Sequence, residues 1–300
     1  MDSLIYALAR AFVAVIQALP LRAVAGFGRR IGGAAFHLSG RYRRVTLQNL
    51  TMCFGGEKSP AEIRDLAREN FRRLGENYLC AIKTAAMTPA QLRPHVEFVG
   101  VERLPHKTGD TPLPNVVLAI GHFGNFELYA RFHDDHPDYQ CATTYRALKQ
   151  AALNRLMQSL RRHSGCLFFE RRTDGPLLRA AMGRGGIILG LLADQSSKGL
   201  RAPFLGHDCD TGLAPAVLAL RYQTDLYTAF CFRIASAQWR LELGDKIATH
   251  AHGRARPSED IMRDVNRSFE NAIRRDPANW FWVHRRWKPL AGQAKLAEGN

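Results

Sequence analysis

The chain has no Cys-x-x-Cys pair. Its six cysteines, Cys53, Cys80, Cys141, Cys166, Cys209 and Cys231, stand singly, several of them in apolar runs. That pattern excludes a zinc-finger spacing and reads as buried, reduced thiols in a cytoplasmic setting. Acidic residues are scarce: 27 Asp and Glu stand against 42 Lys and Arg, a formal net charge of +15. Yet there is no Lys/Arg-rich low-complexity tail and no RNA-recognition aromatic motif, so nucleic acid is not the partner read here. The charge instead suits an anionic membrane surface or an acidic protein. No apolar run is long enough to be a clear span. Residues 4–20 are interrupted by Arg10 and Gln17 and fall short of the ~20 residues that cross a bilayer. No signal-peptide cleavage site follows them. No Gly-x-Ser-x-Gly elbow is present, which argues against an α/β-hydrolase, and no internal repeat is visible.

What is present begins with that N-terminal run. It reads as an interfacial or weakly inserted helix, followed by a basic segment to Arg44 that holds Arg22, Arg29 and Arg30. Such arginines lie well against anionic headgroups. A soluble amphipathic helix packed on the domain is the alternative. The organisation that follows is a membrane-associating segment over 1–44 and one large domain over 45–300.

Residues 45–87 read as helix, with Ser59 and Glu62 at capping-box spacing around Pro60. A short helix starts at Pro89, a strand covers 95–99, and 107–114 is a Pro/Gly/Thr loop. From residue 115 strands and helices alternate. Strands fall at 115–120, 140–145, 166–169, 186–193, 226–234 and 239–243. Helices fall at 149–163, 176–182, 214–222 and 258–275. This alternation gives an α/β fold with a mixed, mainly parallel sheet flanked by helices. Ligands of open α/β sheets bind at the carboxyl ends of strands. His122, Arg146 and Asp194 fall at such ends.

The stretch Gly121-His122-Phe123-Gly124-Asn125-Phe126-Glu127 carries the chemistry. A histidine sits where a buried strand ends, with a carboxylate five residues on. If His122 lies in the turn and Glu127 in the first helical turn, the carboxylate can fold back to one imidazole nitrogen. The other nitrogen is then free as a general base. On spacing alone a surface pair or an ordinary loop histidine is the favoured reading, and Asn125 and Glu127 also fit a plain helix start.

The motif resembles the His-x-x-x-x-Asp/Glu block of the glycerolipid acyltransferase superfamily. Its flanking residues are similar to one branch, the late acyltransferases of lipid A biosynthesis and their relatives that acylate mannosylated phosphoinositides. Further blocks in the same order agree. They are Tyr145-Arg146 with Asn154 and Arg161, Gly165-Cys-Leu-Phe-Phe-Glu-Arg171, and Ala193-Asp194-Gln195 followed by Lys198 to Gly206. The last is Pro277-Ala-Asn-Trp-Phe-Trp-Val-His-Arg-Arg-Trp-Lys288. The resemblance covers about residues 100–288. Phe126 stands where Trp is commoner, and the strand at 226–234 lacks a proline usual in the branch.

The resemblance implies an O-acyltransferase. A fatty acyl thioester on acyl carrier protein or coenzyme A would be the donor, and a lipid A precursor or related phosphorylated or glycosylated lipid the acceptor. His122 and Glu127 are the implied catalytic pair. Asn125, Arg146, Arg161, Arg171, Asp194 and Gln195 are the implied substrate contacts. Asp194 has two candidate roles, holding His122 or positioning the acceptor. Backbone N–H groups at Gly124 and Asn125, or an arginine, are candidates for the oxyanion. Trp280, Trp282 and Trp287 supply interfacial or core bulk, while Arg285, Arg286 and Lys288 offer phosphate contacts. No metal or cofactor is called for, and the implied location is the cytoplasmic face of the inner membrane. A thioesterase using the same pair, or a non-catalytic basic protein bound to a membrane surface, are the competing readings.

Overall fold

The computed structural model describes residues 2–107 and 113–288. Part of the loop read over 107–114, and residues 289–300, lie outside them.

The first part of the chain is helical: α1 (Asp2–Ala18), α2 (Leu21–Leu38), α3 (Gly40–Phe54), α4 (Pro60–Thr84) and the short α5 (Pro89–Leu92). Pro20 separates α1 from α2. Ser59 caps α4 through the expected box: its side chain accepts from the Glu62 N–H, and the Glu62 carboxylate accepts from the Ser59 N–H at 2.8 Å. Thr88 and Gln91 repeat the device on α5. No described helix is long and apolar enough to cross a membrane.

The α2 and α4 backbones touch because Gly28, Gly32 and Gly75 lack side chains. A Cβ on Gly75 would lie against the Gly28 carbonyl oxygen and 2.8 Å from the Gly32 nitrogen. Behind this crossing Glu76 is fully buried. It takes Arg233 at 2.7 Å, Arg29 at 3.3 Å and the Ala237 N–H at 3.0 Å. A buried carboxylate is tolerated when charge and hydrogen bonds surround it.

After α5 the chain alternates: β1 (Val96–Val99), β2 (Val116–Ile120), a 3-10 helix (Phe126–Asp134), β3 (Gln140–Tyr145), α6 (Ala151–Arg161), β4 (Leu167–Glu170), α7 (Gly175–Arg184) and β5 (Ile187–Leu192). Then come the hairpin β6 (Ser196–Phe204) and β7 (His207–Thr211), α8 (Ala214–Arg221), β8 (Asp225–Ala235), β9 (Gln238–Ile247), the small hairpin β10 (His250–Ala251) and β11 (Arg254–Ala255), and α9 (Ser258–Arg275). The main sheet has the order β1-β9-β8-β2-β5-β3-β4. All its neighbours are parallel except β8 and β9. This is the mixed, mainly parallel α/β layer that the alternation implies. The β6–β7 hairpin was not read from sequence as strands.

Central strands of a parallel sheet are buried on both faces, and every residue of β2 is buried. Side chains alternate between faces. Val117, Ala119, Leu189 and Leu191 join Leu50, Phe71 and Phe269 of α3, α4 and α9 in one core. Leu118, Ile120, Ile188 and Leu243 face the other way, toward Tyr129 and Phe132 of the 3-10 helix. One face is thus sealed by α-helices and the other is roofed by the 3-10 helix over Phe126–Asp134.

The residues after α9 run back across the molecule as a strap. Asn70 of α4 donates to the carbonyls of Ala278 (2.9 Å) and Trp280 (2.6 Å). Asn49 of α3 donates to those of Trp282 and His284, both at 2.9 Å. Trp280 and Trp282 are buried, so the core-bulk alternative describes both. Arg286 is a correction. It is fully buried, stacks over Phe204 at 4.9 Å, and bonds the Asp210 carbonyl and Thr211 Oγ1. Both terminal nitrogens of its guanidinium bond inside the fold, and burial keeps the group from a phosphate at the surface.

The glycine crossing gives the first prediction. Gly75→Val forces a branched side chain into backbone and should cost on the order of 1–3 kcal/mol or more, read as a lowered urea midpoint. Gly26→Val, where nothing lies within 4 Å of the added Cβ, is the comparison.

Candidate active site

β2 and β5 are adjacent and parallel, with Ile120 opposite Leu192. Their carboxyl ends therefore place His122 and Asp194 side by side. His122 Nδ1 lies 2.6 Å from Asp194 Oδ1, and the His122 backbone N–H donates to Oδ2 at 2.7 Å. The indole N–H of Trp280 donates to the same Oδ2 at 2.7 Å. An ionised carboxylate only accepts, so Nδ1 carries the proton and Nε2 is left as the basic nitrogen. Asp194 is wholly buried. Burial pushes its carboxyl up, but the charge of His122, its ring and backbone N–H groups and the Trp280 indole outweigh that, and the group is held below its ordinary value.

The turn between β2 and the 3-10 helix is set by Gly124, at φ +51°, with Cys231 main chain where a Cβ would go. Its N–H donates to the Asn279 carbonyl at 3.2 Å, and Phe123 bridges to Trp280. Gly124 is therefore not available for an oxyanion. The His122 ring sits between Phe126, edge-on at 5.1 Å, and Phe281 of the strap at 5.8 Å.

The carboxylate on His122 is thus Asp194, one of the two roles the sequence left open for it, and the fold-back of Glu127 onto the imidazole does not occur. Glu127 is instead bound by Arg161, at 2.8 and 3.3 Å. The reason is local. Residues 126–134 coil as a 3-10 helix beside β3, within reach of α6, and Arg161 at the end of α6 supplies a full opposite charge. Arg161 also stacks over Phe168 at 4.9 Å, so the ion pair is held in place on both sides.

His122, Glu127, Arg146, Arg161, Arg171 and Gln195 all line one cavity of about 1000 Å³. That is at the upper end of small-molecule sites. Its deep wall is apolar, made by Leu104, Leu118, Ile120, Phe132, Ile188 and Leu243, and its other wall is the arginine side. Asn125 is not on that wall. It is buried, and its amide points to Thr84 Oγ1 of α4 at 3.4 Å. Arg146 and Arg171 are exposed. Cys141 lines the cavity, but burial raises its thiol to about 12, which removes it as a nucleophile at neutral pH. The six cysteines are free thiols. Among the described residues no group of three or more His, Cys, Asp or Glu could hold a metal ion.

Sequence reasoning missed the roles of Trp280 and Phe281, which touch the two members of the pair. The signal available was only an aromatic run in the right order along the chain.

An imidazole with one nitrogen on a buried carboxylate thus stands beside an apolar cavity edged with arginines. A model of the family described as bacterial lipid A biosynthesis acyltransferase matches residues 1–289, and the chain belongs to that family. It is an enzyme that transfers acyl groups. A search of curated proteins gives no match.

Asp194 makes a stability prediction. Its folded value lies below its unfolded value, so its ionised form stabilises the fold above about pH 4, and this contribution is lost as pH falls through the lowered value. Asp194→Asn should lower the urea midpoint at pH 7 and flatten its decline below pH 4. Parallel curves for the two proteins would contradict the assignment.

Proposed function

We propose that this enzyme moves a fatty acyl chain from a thioester to a hydroxyl of a phosphorylated or glycosylated lipid of the lipid A type. The observation that carries this is the His122–Asp194 pair at a cavity with one apolar wall and one arginine-bearing wall. The acyl chain lies along Leu118, Ile120, Ile188 and Leu243. The acceptor headgroup lies toward Arg146 and Arg171, whose planar forks suit phosphate oxygens. Nε2 of His122 takes the proton of the acceptor hydroxyl while that oxygen attacks the thioester carbonyl. The tetrahedral intermediate then expels the thiolate, which receives the proton from the imidazolium. Asp194 keeps Nδ1 protonated and stabilises the cation. Glu127 acts with Arg161 on the cavity wall, where the pair positions the acceptor. The donor is acyl carrier protein or acyl-coenzyme A, and the positive net charge favours an acidic carrier.

The site would act at the cytoplasmic face of the inner membrane. Leu4, Leu8, Phe12 and Val15 form an exposed apolar stripe along α1, continued by Leu19 just past its end, while Val13 and Ile16 are buried on its other side. Arg10, Arg22 and Arg30 are exposed on α1 and α2. That pattern supports a helix lying in the headgroup layer.

Two experiments test this. Radiolabelled acyl groups on acyl carrier protein and on coenzyme A are offered with a total bacterial lipid extract. Wild type should yield a labelled lipid, and His122→Ala should lose roughly 10²–10⁴-fold of the rate. Free fatty acid with no labelled lipid would mean a thioesterase. In flotation with anionic vesicles, Leu8→Glu with Phe12→Glu should release the protein, and retention at wild-type levels would remove α1 as the docking element.

A further inference from the structure

The strap does more than close the core at its C-terminal end. Trp280 is 1% exposed, packs edge-on against Trp282 at 4.7 Å and lies against Phe204 at 5.7 Å. Its carbonyl is held by Asn70, and the preceding residue's carbonyl takes the Gly124 N–H. The indole is therefore fixed from α4 on one side and from the β2 turn on the other. Its single donor falls on Asp194 Oδ2, which leaves Oδ1 turned to the His122 ring. A buried carboxylate without this third donor could rotate about its terminal bond, because that torsion is broad.

We propose that Trp280 is a positioning residue of the acyl-transfer site: its indole N–H fixes the Asp194 carboxylate so that His122 is held with Nε2 toward the cavity. This rests on the reading of His122 as the base. The N–H also takes part of the carboxylate's charge. Its loss leaves Asp194 a stronger partner for the imidazolium, which makes His122 harder to deprotonate.

Other groups facing the pair are His284 and Arg286 of the strap and Tyr129 of the 3-10 helix. Burial holds His284 below its ordinary value and Tyr129 well above its own. Arg286 stays cationic. Glu127 is occupied by Arg161.

The test replaces Trp280 by β-(3-benzothienyl)alanine, which keeps the shape and puts sulfur in place of the N–H. Trp280→Phe serves as a second variant. Two readouts are taken: the His122 ring titration by ¹⁵N NMR without substrate, and the pH profile of acyl transfer. The expected result is a His122 titration moved to higher pH, with the acidic limb of kcat/KM moved the same way. At the plateau kcat falls about tenfold with KM unchanged. In an Asp194→Asn background the same replacement should add nothing. A lowered Tm with His122 titration and kcat as in wild type would reduce Trp280 to core packing and overturn the proposal. So would effects that add fully to those of Asp194→Asn. If the wild type transfers no acyl group, the reading of the site fails, and the NMR titration still decides whether Trp280 acts on the pair.

Discussion

A carboxylate buried without solvent must be surrounded by donors or give up its charge. Asp194 solves this with three, drawn from two places far apart in the chain. Two are its neighbour's ring and backbone N–H across the β2–β5 edge, and one is the Trp280 indole. Much of the fold can be understood as what holds these donors still. The parallel pairing of β2 and β5 sets His122 beside Asp194. The asparagines of α3 and α4 hold the strap by its carbonyls, and the strap holds the indole.

The division of the sheet into two unlike faces follows from the same arrangement. The face toward α3, α4 and α9 is packed with Phe and Leu side chains. The face toward residues 126–134 is roofed by a 3-10 helix, a form with poorer hydrogen-bond geometry and fewer packing choices. Space is left there, and β2, β5 and β9 line it with Leu118, Ile120, Ile188 and Leu243. The Glu127–Arg161 pair braces this roof against α6. A charge pair about a quarter exposed contributes little to stability by itself, so its value lies in fixing two charged groups at the cavity wall.

Most of the sheet was legible because its strands are short apolar runs that end at polar residues, and the helices because α4 carries a capping box and both α4 and α9 bury one periodic apolar face. The β6–β7 hairpin was not. Its turn is Leu205-Gly206, both with positive φ, and a leucine gives none of the Asn-Gly or Asp-Gly signal that marks such a turn. His122 was legible from its place after β2. Its partner was harder. Glu127 is five residues away and Asp194 is 72, and spacing in sequence favours the near carboxylate. Only the pairing of β2 with β5 brings the far one in. Trp280 was read as bulk because nothing in a run of aromatics says where one indole nitrogen points. Arg286 was read as a surface cation because burial of a guanidinium depends on Phe204 and the β7 carbonyl, neither near it in sequence.

The strap has a consequence in time. Trp280 follows Asp194 by 86 residues, and synthesis proceeds at roughly 5–20 residues per second. For several seconds the emerging chain has its histidine and Asp194 but lacks the third donor to that carboxylate. The pair is complete only once the strap has emerged, so the catalyst is silent until residue 280 has been made.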